Sequence, residues 1–282
     1  ELDLMGRIRA SPEGLNGTLD GTNAHLAEYT KKMDLIYGEG TIDWKWATYP
    51  DSCERRFRSV SVKIKDEVVG MVLSEEERMK MLETPGGKHL TATEWHEALQ
   101  EDNDNLVLLD VRNYYETRVG YFKYGSAEEK KAVDPLTRSF SDFKHFVDKE
   151  ASKYKDKKVL MYCTGGVRCE RASQYLKSKG VEDVYQLYGG IHTYQEQYPD
   201  GFFKGKNFVY DPRVAVGPGD VKEQQLRKQD SENDALPPLS HMGEEKLCEV
   251  GSLWRWFRLF PAFGDEAEKG DKHRDVGEVV GQ

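Results

Sequence analysis

From residue 87 onward, apolar runs alternate with amphipathic segments in a regular order. Three runs, "NLVLLDV", "KKVLMYC" and "DVYQLYGG", are apolar almost throughout, which is typical of strands buried on both faces. The segments between them each have one apolar face, as in 141–154, where Phe143, Phe146 and Val147 share one side of a predicted helix. Such strands alternating with helices predict an α/β domain over 87–216, with a parallel sheet covered by helices on both faces.

Residues 1–72 follow a different pattern, in which turns separate short extended runs. In "RSVSVKIK", Val60, Val62 and Ile64 alternate with polar residues, which predicts a strand with these three side chains on a buried face. The preceding segment "NAHLAEYTKKM" has the periodicity of an amphipathic helix. We therefore expect a small α+β domain here, joined to the α/β domain by a polar helical connector over 73–86.

Residues 217–282 are polar and acidic and contain several prolines, which predicts a largely disordered tail. The exception is the stretch "LWRWFRLFPAF", 253–263, in which aromatic and basic residues are interspersed. Because such a patch is unfavourable when exposed to water, we expect this aromatic island to dock on a protein partner or on the chain's own surface.

Composition limits the classes of protein to be considered. The 282 residues carry a formal net charge of −9, so no broadly basic nucleic-acid face is evident, and no apolar run is long enough to span a membrane. The four cysteines are scattered and form no C-x-x-C pair, which speaks against a disulfide scaffold and against a zinc site. We expect a reducing compartment, either the cytoplasm or an organelle matrix, and we assign no metal and no cofactor.

The candidate chemistry lies where the second apolar strand ends, at Cys163. Ligands bind beyond the carboxyl ends of parallel strands, and a short loop follows the thiol at that edge. Glycines let successive amides turn inward, and the helix that follows adds its positive N-terminal end. Such a ring of donors favours an accessible thiolate at the catalytic position. The residues assigned to hold its substrate are Thr164, Gly165, Gly166, Val167 and Arg168.

Alternatives to this interpretation remain open. Cys163 could be a buried strand-end residue beside an ordinary glycine turn, in which case the domain would be a non-catalytic interaction module. A third alternative is a cysteine phosphatase, whose loop has the spacing C-x5-R, whereas this loop has C-x4-R. A shorter loop suits a smaller group than phosphate, such as the outer sulfur of a persulfide, and Arg168 could grip an anion at its rim.

The motifs "LLDVRNYYETRVGYF", "VLMYCTGGVRCERASQYL" and "VYQLYGGIHTY" resemble the rhodanese domain. Together with "GRIRASPEGLNGTLDG" and "GKNFVYDPRVAV", they resemble the tRNA wobble-uridine hydroxylase family of rhodanese-like proteins and its eukaryotic rhodanese-domain relatives, over roughly residues 5–216. The resemblance implies a ferredoxin-like domain before a rhodanese domain, with Cys163 essential. It also implies that the first domain is incomplete here, because the family has a further strand and helix before "GRI".

The resemblance also implies supporting roles for residues near the loop. Asp110 and Arg112 are expected to hold loops by hydrogen bonds and ion pairs, with Glu116 as a partner for Arg112. Cys169 either attacks an oxidised or persulfidated Cys163 or packs beneath the loop. Two positions depart from the family pattern, because "PEGLNG" replaces "HEGING" and "GYF" replaces "GHF".

The expected function is persulfide chemistry of the sulfurtransferase type at Cys163, with hydroxylation of the wobble uridine of a tRNA as the activity that the closer resemblance implies. The expected partners are a sulfur donor, such as thiosulfate or a protein persulfide, and a tRNA. No membrane partner is expected.

Overall fold

The computed structural model describes residues 2–49, 57–101, 103–125, 130–210, 213–222 and 248–255. Within them, the helices are α1 (Asn23–Tyr37), α2 (Glu75–Glu83), α3 (Ala92–Gln100), α4 (Tyr114–Val119), α5 (Asp142–Glu150), α6 (Val167–Ser178) and α7 (Gly190–Gln197), with a 3-10 turn at Ala151–Tyr154. The strands are β1 (Met5–Ser11), β2 (Gly14–Thr22), β3 (Trp44–Tyr49), β4 (Val60–Ile64), β5 (Lys88–Leu90), β6 (Leu106–Asp110), β7 (Gly120–Tyr124), β8 (Lys130–Lys131), β9 (Lys158–Tyr162), β10 (Val184–Leu187), β11 (Phe203–Gly205), β12 (Asn207–Phe208), β13 (Ala215–Val216) and β14 (Cys248–Arg255).

The N-terminal unit is a five-stranded sheet in the order β3-β14-β2-β1-β4. β2 and β3 are both antiparallel to β14, so they run parallel to each other with one strand between them. A parallel connection needs a crossover, and α1 supplies it. This is the small α+β architecture expected from the sequence, with its central gap filled by a strand from the far end of the chain.

Helix α1 forms as its periodicity predicts. Thr22 caps the helix by accepting a hydrogen bond from the amide of His25. Leu26 is buried, and Tyr29 and Met33 pack against Ile42 in a small apolar cluster.

The burial predicted for β4 is wrong. The strand forms, but Val60, Val62 and Ile64 are 51%, 60% and 85% exposed. β4 lies at the edge of the sheet and pairs with β1. Alternation shows which side chains share a face, but it does not show whether another element packs on that face.

The second unit contains a four-stranded sheet in the order β5-β10-β9-β6, and every pairing in it is parallel. The α/β prediction for this part of the chain is confirmed. β9 lies between β10 and β6, so it is a central strand of the sheet, and Cys163 follows directly after its carboxyl end.

Alternate residues of β9 enter two cores on opposite faces of this sheet, as the apolar run predicts. Val159 and Met161 pack with side chains of α5 and α6, while Leu160 and Tyr162 pack with side chains of α3 and α7. Burying one large apolar side chain contributes about 1.5–3 kcal/mol, so both faces hold the strand in place. None of the described helices has the length and apolarity needed to cross a bilayer.

Helices α2 and α3 both begin with a capping box. Ser74 and Glu77 exchange the two bonds at the start of α2, inside the predicted connector, and Thr91 and Glu94 do so at the start of α3. Each pair satisfies amides that the first helical turn leaves open.

Residues 248–255, inside the segment predicted as a largely disordered tail, form strand β14. The strand hydrogen-bonds to β2 on one side and to β3 on the other. Its own sequence does not predict a strand, which forms because these neighbours supply its backbone hydrogen-bond partners. The aromatic island contributes its first three residues to β14, and residues 256–263 lie outside the described part of the chain.

Candidate active site

The thiol lies at the carboxyl end of the central parallel strand. β9 ends at Tyr162 and α6 begins at Val167, so Cys163 through Gly166 form the turn between them. Gly166 has φ +93°, a left-handed conformation that favours glycine, and it starts the helix. The amide of Gly166 donates to Cys163 Sγ over 3.1 Å.

Helix α7 packs its first turn against this loop. The amide of Ile191 donates to the carbonyl of Cys163 over 3.0 Å, and the amide of His192 donates to the carbonyl of Thr164 over 3.1 Å. Gly190 permits the approach, because a Cβ there would lie 2.6 Å from the Cys163 carbonyl oxygen. The loop is therefore held between two helix N-termini, and the sequence signal for the second was the pair of glycines in "LYGGIHTY".

The surroundings of Cys163 favour its thiolate. Burial by itself raises the pKa of this thiol, but a hydrogen bond from the Cys169 side chain, the charge of Arg168, and the amides of Cys169 and Arg168 together lower it to about 6. The predicted ring of amides therefore exists, and it extends one residue beyond the loop. At neutral pH the sulfur is mainly ionised.

Cys169 has a defined place beside the first thiol. It is fully buried in the first turn of α6, and burial followed by the neighbouring Cys163 sulfur raises its pKa well above the ordinary value. A thiol that stays protonated can donate a hydrogen bond to the thiolate next to it. Of the two roles considered for Cys169, the structure has its thiol packed beneath the loop, where it also donates this hydrogen bond.

The partners predicted for Arg168 and Glu116 are corrected by the structure. Arg168 Nη1 and Nη2 bind the two oxygens of Glu116 over 2.6 and 2.8 Å, and the glutamate side chain is fully buried. Arg168 therefore does not hold out an open fork to an anion, and Glu116 is not the main partner of Arg112. The reason is that a buried carboxylate requires a partner of opposite charge.

Thr164 and Val167 also serve the loop itself. Thr164 Oγ1 lies 3.3 Å from Glu116 and accepts from Arg168 Nη2 over 3.2 Å, so it joins the same network. The Val167 side chain is buried in the apolar core.

Asp110 and Arg112 form a buried pair at the end of the neighbouring strand β6. Arg112 donates to the two oxygens of Asp110 over 2.9 and 2.7 Å and to the carbonyl of Gly120 over 2.6 Å. Thr117 and Tyr162 donate their hydroxyls to the same carboxylate. The pair ties β6, β7, β9 and α4 together, which is the structural role expected for it.

The sequence predicted an accessible sulfur, but the structure buries it. Cys163 is 1% exposed. The α7 turn lies against the loop on one side, and the segment that follows β11 lies on another, where the Phe208 carbonyl is 3.4 Å from Thr164 Oγ1. A local sequence pattern does not reveal which distant segments cover a loop.

The covering segment is described at 207–210 and 213–216, and the sequence analysis did not assign these residues to the site. Its ends pair as β12 and β13, and we call these described residues the strap. Phe208 of the strap packs against Tyr115 and Tyr210, and the charges of Arg168 and Glu116 act on Tyr210. The available signal was the motif "GKNFVYDPRVAV", which was used only for the family resemblance.

The N-terminal unit also contacts the two helices that flank the loop. Glu13, in the turn between β1 and β2, forms a buried ion pair with Arg171 of α6 and accepts from the amide of Val68 over 3.1 Å. Lys45 of β3 is 6% exposed and donates to Thr193 Oγ1 of α7 over 3.2 Å. The α+β unit therefore fixes the positions of both helices whose N-termini hold the loop.

In the described part of the chain, no three His, Cys, Asp or Glu residues lie close enough together to hold a metal ion.

Comparisons with known proteins agree with this geometry. A family model described as a rhodanese-like domain matches residues 92–197, and one described as a UPF0176 acylphosphatase-like domain matches residues 1–68. A tRNA uridine(34) hydroxylase of Acinetobacter baylyi is 33% identical over 228 residues, covering 80% of this chain and 67% of the relative. The chain belongs to the tRNA uridine(34) hydroxylase family.

Other relatives of the tRNA uridine(34) hydroxylase family set the extent of the match. The hydroxylase of Roseobacter denitrificans is 34% identical over 219 residues, covering 77% of this chain and 68% of the relative. Rhodanese-like domain-containing protein 6 of Arabidopsis thaliana is 44% identical over 233 residues, covering 77% of this chain. The chain spans 39% of the length of the Arabidopsis protein.

Two solved structures are similar to part of the chain. A rhodanese-like domain from an Anabaena species is 21% identical with a TM-score of 0.33, covering 42% of this chain and 78% of that one. A single-domain sulfurtransferase of Saccharomyces cerevisiae is 17% identical with a TM-score of 0.31, covering 40% and 91%.

The two departures from the tRNA uridine(34) hydroxylase pattern occupy different surroundings. Pro12 is exposed in the β1–β2 turn beside the buried Glu13. Tyr121 lies on β7, where Lys131 Nζ sits 3.9 Å from its ring centroid.

Proposed function

We propose that this chain is a rhodanese-like cysteine enzyme that modifies the wobble uridine of tRNA, with Cys163 as its reactive group. The observation that carries the proposal is the thiol of Cys163, whose pKa is about 6 and whose sulfur accepts a hydrogen bond from the amide of Gly166 at the carboxyl end of a parallel strand. A merely structural cysteine has no need of this arrangement. Thr164, Gly165, Gly166, Val167 and Arg168 form the loop that keeps the sulfur ionised.

Transfer of a sulfur atom is the reaction that tests this thiolate most directly. In the presence of thiosulfate, the Cys163 thiolate attacks the outer sulfur, a new S–S bond forms, and sulfite leaves with the electron pair of the broken bond. The product is a persulfide on Cys163. The amides and the charge of Arg168 that favour the thiolate also favour an anionic persulfide.

The tRNA part of the proposal is supported by the names of the relatives and by family membership. Hydroxylation adds one oxygen atom to the base and requires an oxidising co-substrate, which the residues described here do not supply. We expect Cys163 to be the protein group that contacts the base or that co-substrate.

The first experiment follows the mass of the intact protein after incubation with thiosulfate. The wild type is expected to gain one sulfur atom, and Cys163→Ser is expected to gain none. A second control, Cys169→Ser, is expected to keep the gain, which assigns the added sulfur to position 163. If the wild type gains no sulfur, sulfur transfer from thiosulfate is refuted.

The second experiment expresses the protein in a bacterial strain that lacks its own tRNA uridine(34) hydroxylase. Nucleosides from purified tRNA are then analysed by mass spectrometry for uridine carrying one additional oxygen. The expected result is restoration by the wild type and none by Cys163→Ser. Equal restoration by both proteins would show that the thiol has no part in the reaction.

The geometry does not favour the phosphatase alternative. A phosphate-binding arginine presents its fork to the ligand, whereas both nitrogens of the Arg168 fork are bound to buried Glu116. A non-catalytic interaction module remains the outcome if neither experiment detects a reaction.

A further inference from the structure

A row of aromatic side chains leads away from the sulfur loop across the strap and α4. Tyr210 and Phe208 have ring centroids 5.3 Å apart, Phe208 and Tyr115 are 5.5 Å apart, and Tyr115 and Tyr114 are 5.8 Å apart. We call Tyr114, Tyr115, Phe208 and Tyr210 the aromatic strip. Neighbouring rings along the row meet edge to face, with interplanar angles of 81°, 76° and 83°.

One end of the strip touches the machinery around Cys163. The Phe208 carbonyl lies 3.4 Å from Thr164 Oγ1, and Thr164 is the residue directly after the thiol. Tyr210 is close enough to Arg168 and Glu116 for their charges to act on its hydroxyl. A ligand lying along the strip therefore ends beside the reactive loop.

The strip is partly open to solvent. Tyr115 is 37% exposed, and the other three members are half-buried. The hydroxyl of Tyr115 accepts a hydrogen bond from Asn113 Nδ2 over 3.0 Å, which fixes the ring in place. Fixed, half-exposed rings lose little conformational entropy when a flat partner stacks on them.

The charge that the structure places against the strip is positive, although the whole chain carries a net charge of −9. In the described residues of α4, Arg118 is the exposed charged side chain, since Glu116 is buried against Arg168. The Arg118 guanidinium lies 5.0 Å from the centroid of the Tyr114 ring. Stacking rings flanked by cations are the combination that binds single-stranded nucleic acid.

We propose that the aromatic strip binds unpaired bases of a single-stranded RNA segment, with a base stacked on the exposed ring of Tyr115 and a phosphate beside Arg118. The inference rests on the proposed tRNA function and adds a surface that begins at Thr164, the residue after Cys163. Partly exposed tyrosines with adjacent cations suit bases and phosphates better than they suit an apolar peptide.

The test measures binding of a fluorescently labelled short oligouridine across a salt series. Tyr115→Leu is expected to weaken binding about ten-fold because it removes the stacking ring, whereas Tyr115→Phe retains the ring, loses only the hydrogen bond from Asn113 and should weaken binding less. Arg118→Gln is expected to weaken binding and to reduce the slope of log affinity against log salt by about one. Tyr185→Leu is the matched control. Tyr185 lies on β10 near the amino ends of the parallel strands, whereas the strip begins beside their carboxyl ends.

A second readout locates the RNA without relying on variants. An oligomer containing thiouridine is crosslinked by light to the wild-type protein, and the modified peptides are identified by mass spectrometry. We expect crosslinks within 113–118 and 207–210. Crosslinks confined to other segments, equal losses in Tyr115→Leu and Tyr185→Leu, or equal affinity for an RNA duplex would each overturn the inference.

The outcomes separate this inference from the proposed function. If the oligomer binds on the strip but no oxygen is added to tRNA uridine, the strip stands and the proposed chemistry falls. If oxygen addition is restored in cells equally by the wild type and Tyr115→Leu, the chemistry stands and the strip falls.

Discussion

The pKa of Cys163 should depend strongly on the thiol of Cys169. The lowering to about 6 is opposed by burial, and the Cys169 side chain is the largest of the contributions that produce it. A hydrogen bond to a charged group contributes about 1.5–3 kcal/mol, and one pKa unit corresponds to about 1.4 kcal/mol. Cys169→Ala should therefore raise the pKa of Cys163 by about one to two units.

The consequence at neutral pH is large enough to measure. With a pKa of about 6, roughly 90% of Cys163 is thiolate at pH 7. After a rise of one to two units, that fraction falls to between about one half and one tenth. The rate of alkylation at Cys163 should fall in the same proportion, because the thiolate is the nucleophile.

The assay follows alkylation of Cys163 by iodoacetamide as a function of pH, with the modified peptide quantified by mass spectrometry. Cys169→Ser is the matched control, because its hydroxyl can still donate to the sulfur and should keep the midpoint near that of the wild type. Removing one buried sulfur atom leaves a small cavity, so unfolding is measured in parallel. A midpoint that stays near 6 in Cys169→Ala would refute the argument that this thiol holds the charge.

Three further predictions follow from buried charges. The folded-state pKa of Cys163 lies below that of an unfolded thiol, so its stabilising contribution is present above about pH 9 and is lost as the pH falls to about 6. The stability difference between the wild type and Cys163→Ser, from urea unfolding, should grow across that window; a constant difference contradicts the lowered pKa. Glu116→Gln should lower the free energy of unfolding by about 3 kcal/mol, because it leaves the Arg168 guanidinium without its carboxylate, whereas Glu28→Gln, which breaks an exposed pair, should leave the urea midpoint unchanged. Glu13→Gln should increase hydrogen exchange in 167–176 and 190–194, because the ion pair to α6 helps hold the N-terminal unit against both helices; unchanged exchange there would show that the pair is not needed for docking.

The sequence predicted the parts of the site that are local. The strand through Tyr162 and the glycine turn form as expected, because periodicity and glycines specify them without help from distant residues. The helix also forms, but it begins at Val167 and not near Cys169 as predicted. The position of Cys163 at the carboxyl end of β9 follows from parallel order. The pairing of Asp110 with Arg112 was not predicted, although only Val111 separates them in the chain.

The partners contributed by distant segments were not predictable in this way. Glu116 was assigned to Arg112 because the two are close in sequence, yet it binds Arg168, which is far along the chain. The covering strap and the burial of Cys163 were likewise missed. Pairing of charges depends on which helix packs beside which loop, and a single sequence does not contain those distances.

By itself, the chain's pattern of apolar runs, capping residues and glycines determined the α/β class, the helices and the place of the reactive thiol, because these depend on interactions within a few residues. The tertiary structure alone decided that β14 enters the N-terminal sheet between β2 and β3 and that β4 leaves Val60, Val62 and Ile64 exposed. It also decided that the strap reaches the loop and that the Glu13 turn reaches α6. Each of these depends on contacts between segments far apart in the chain, where backbone pairing and burial are settled by the whole assembly of elements.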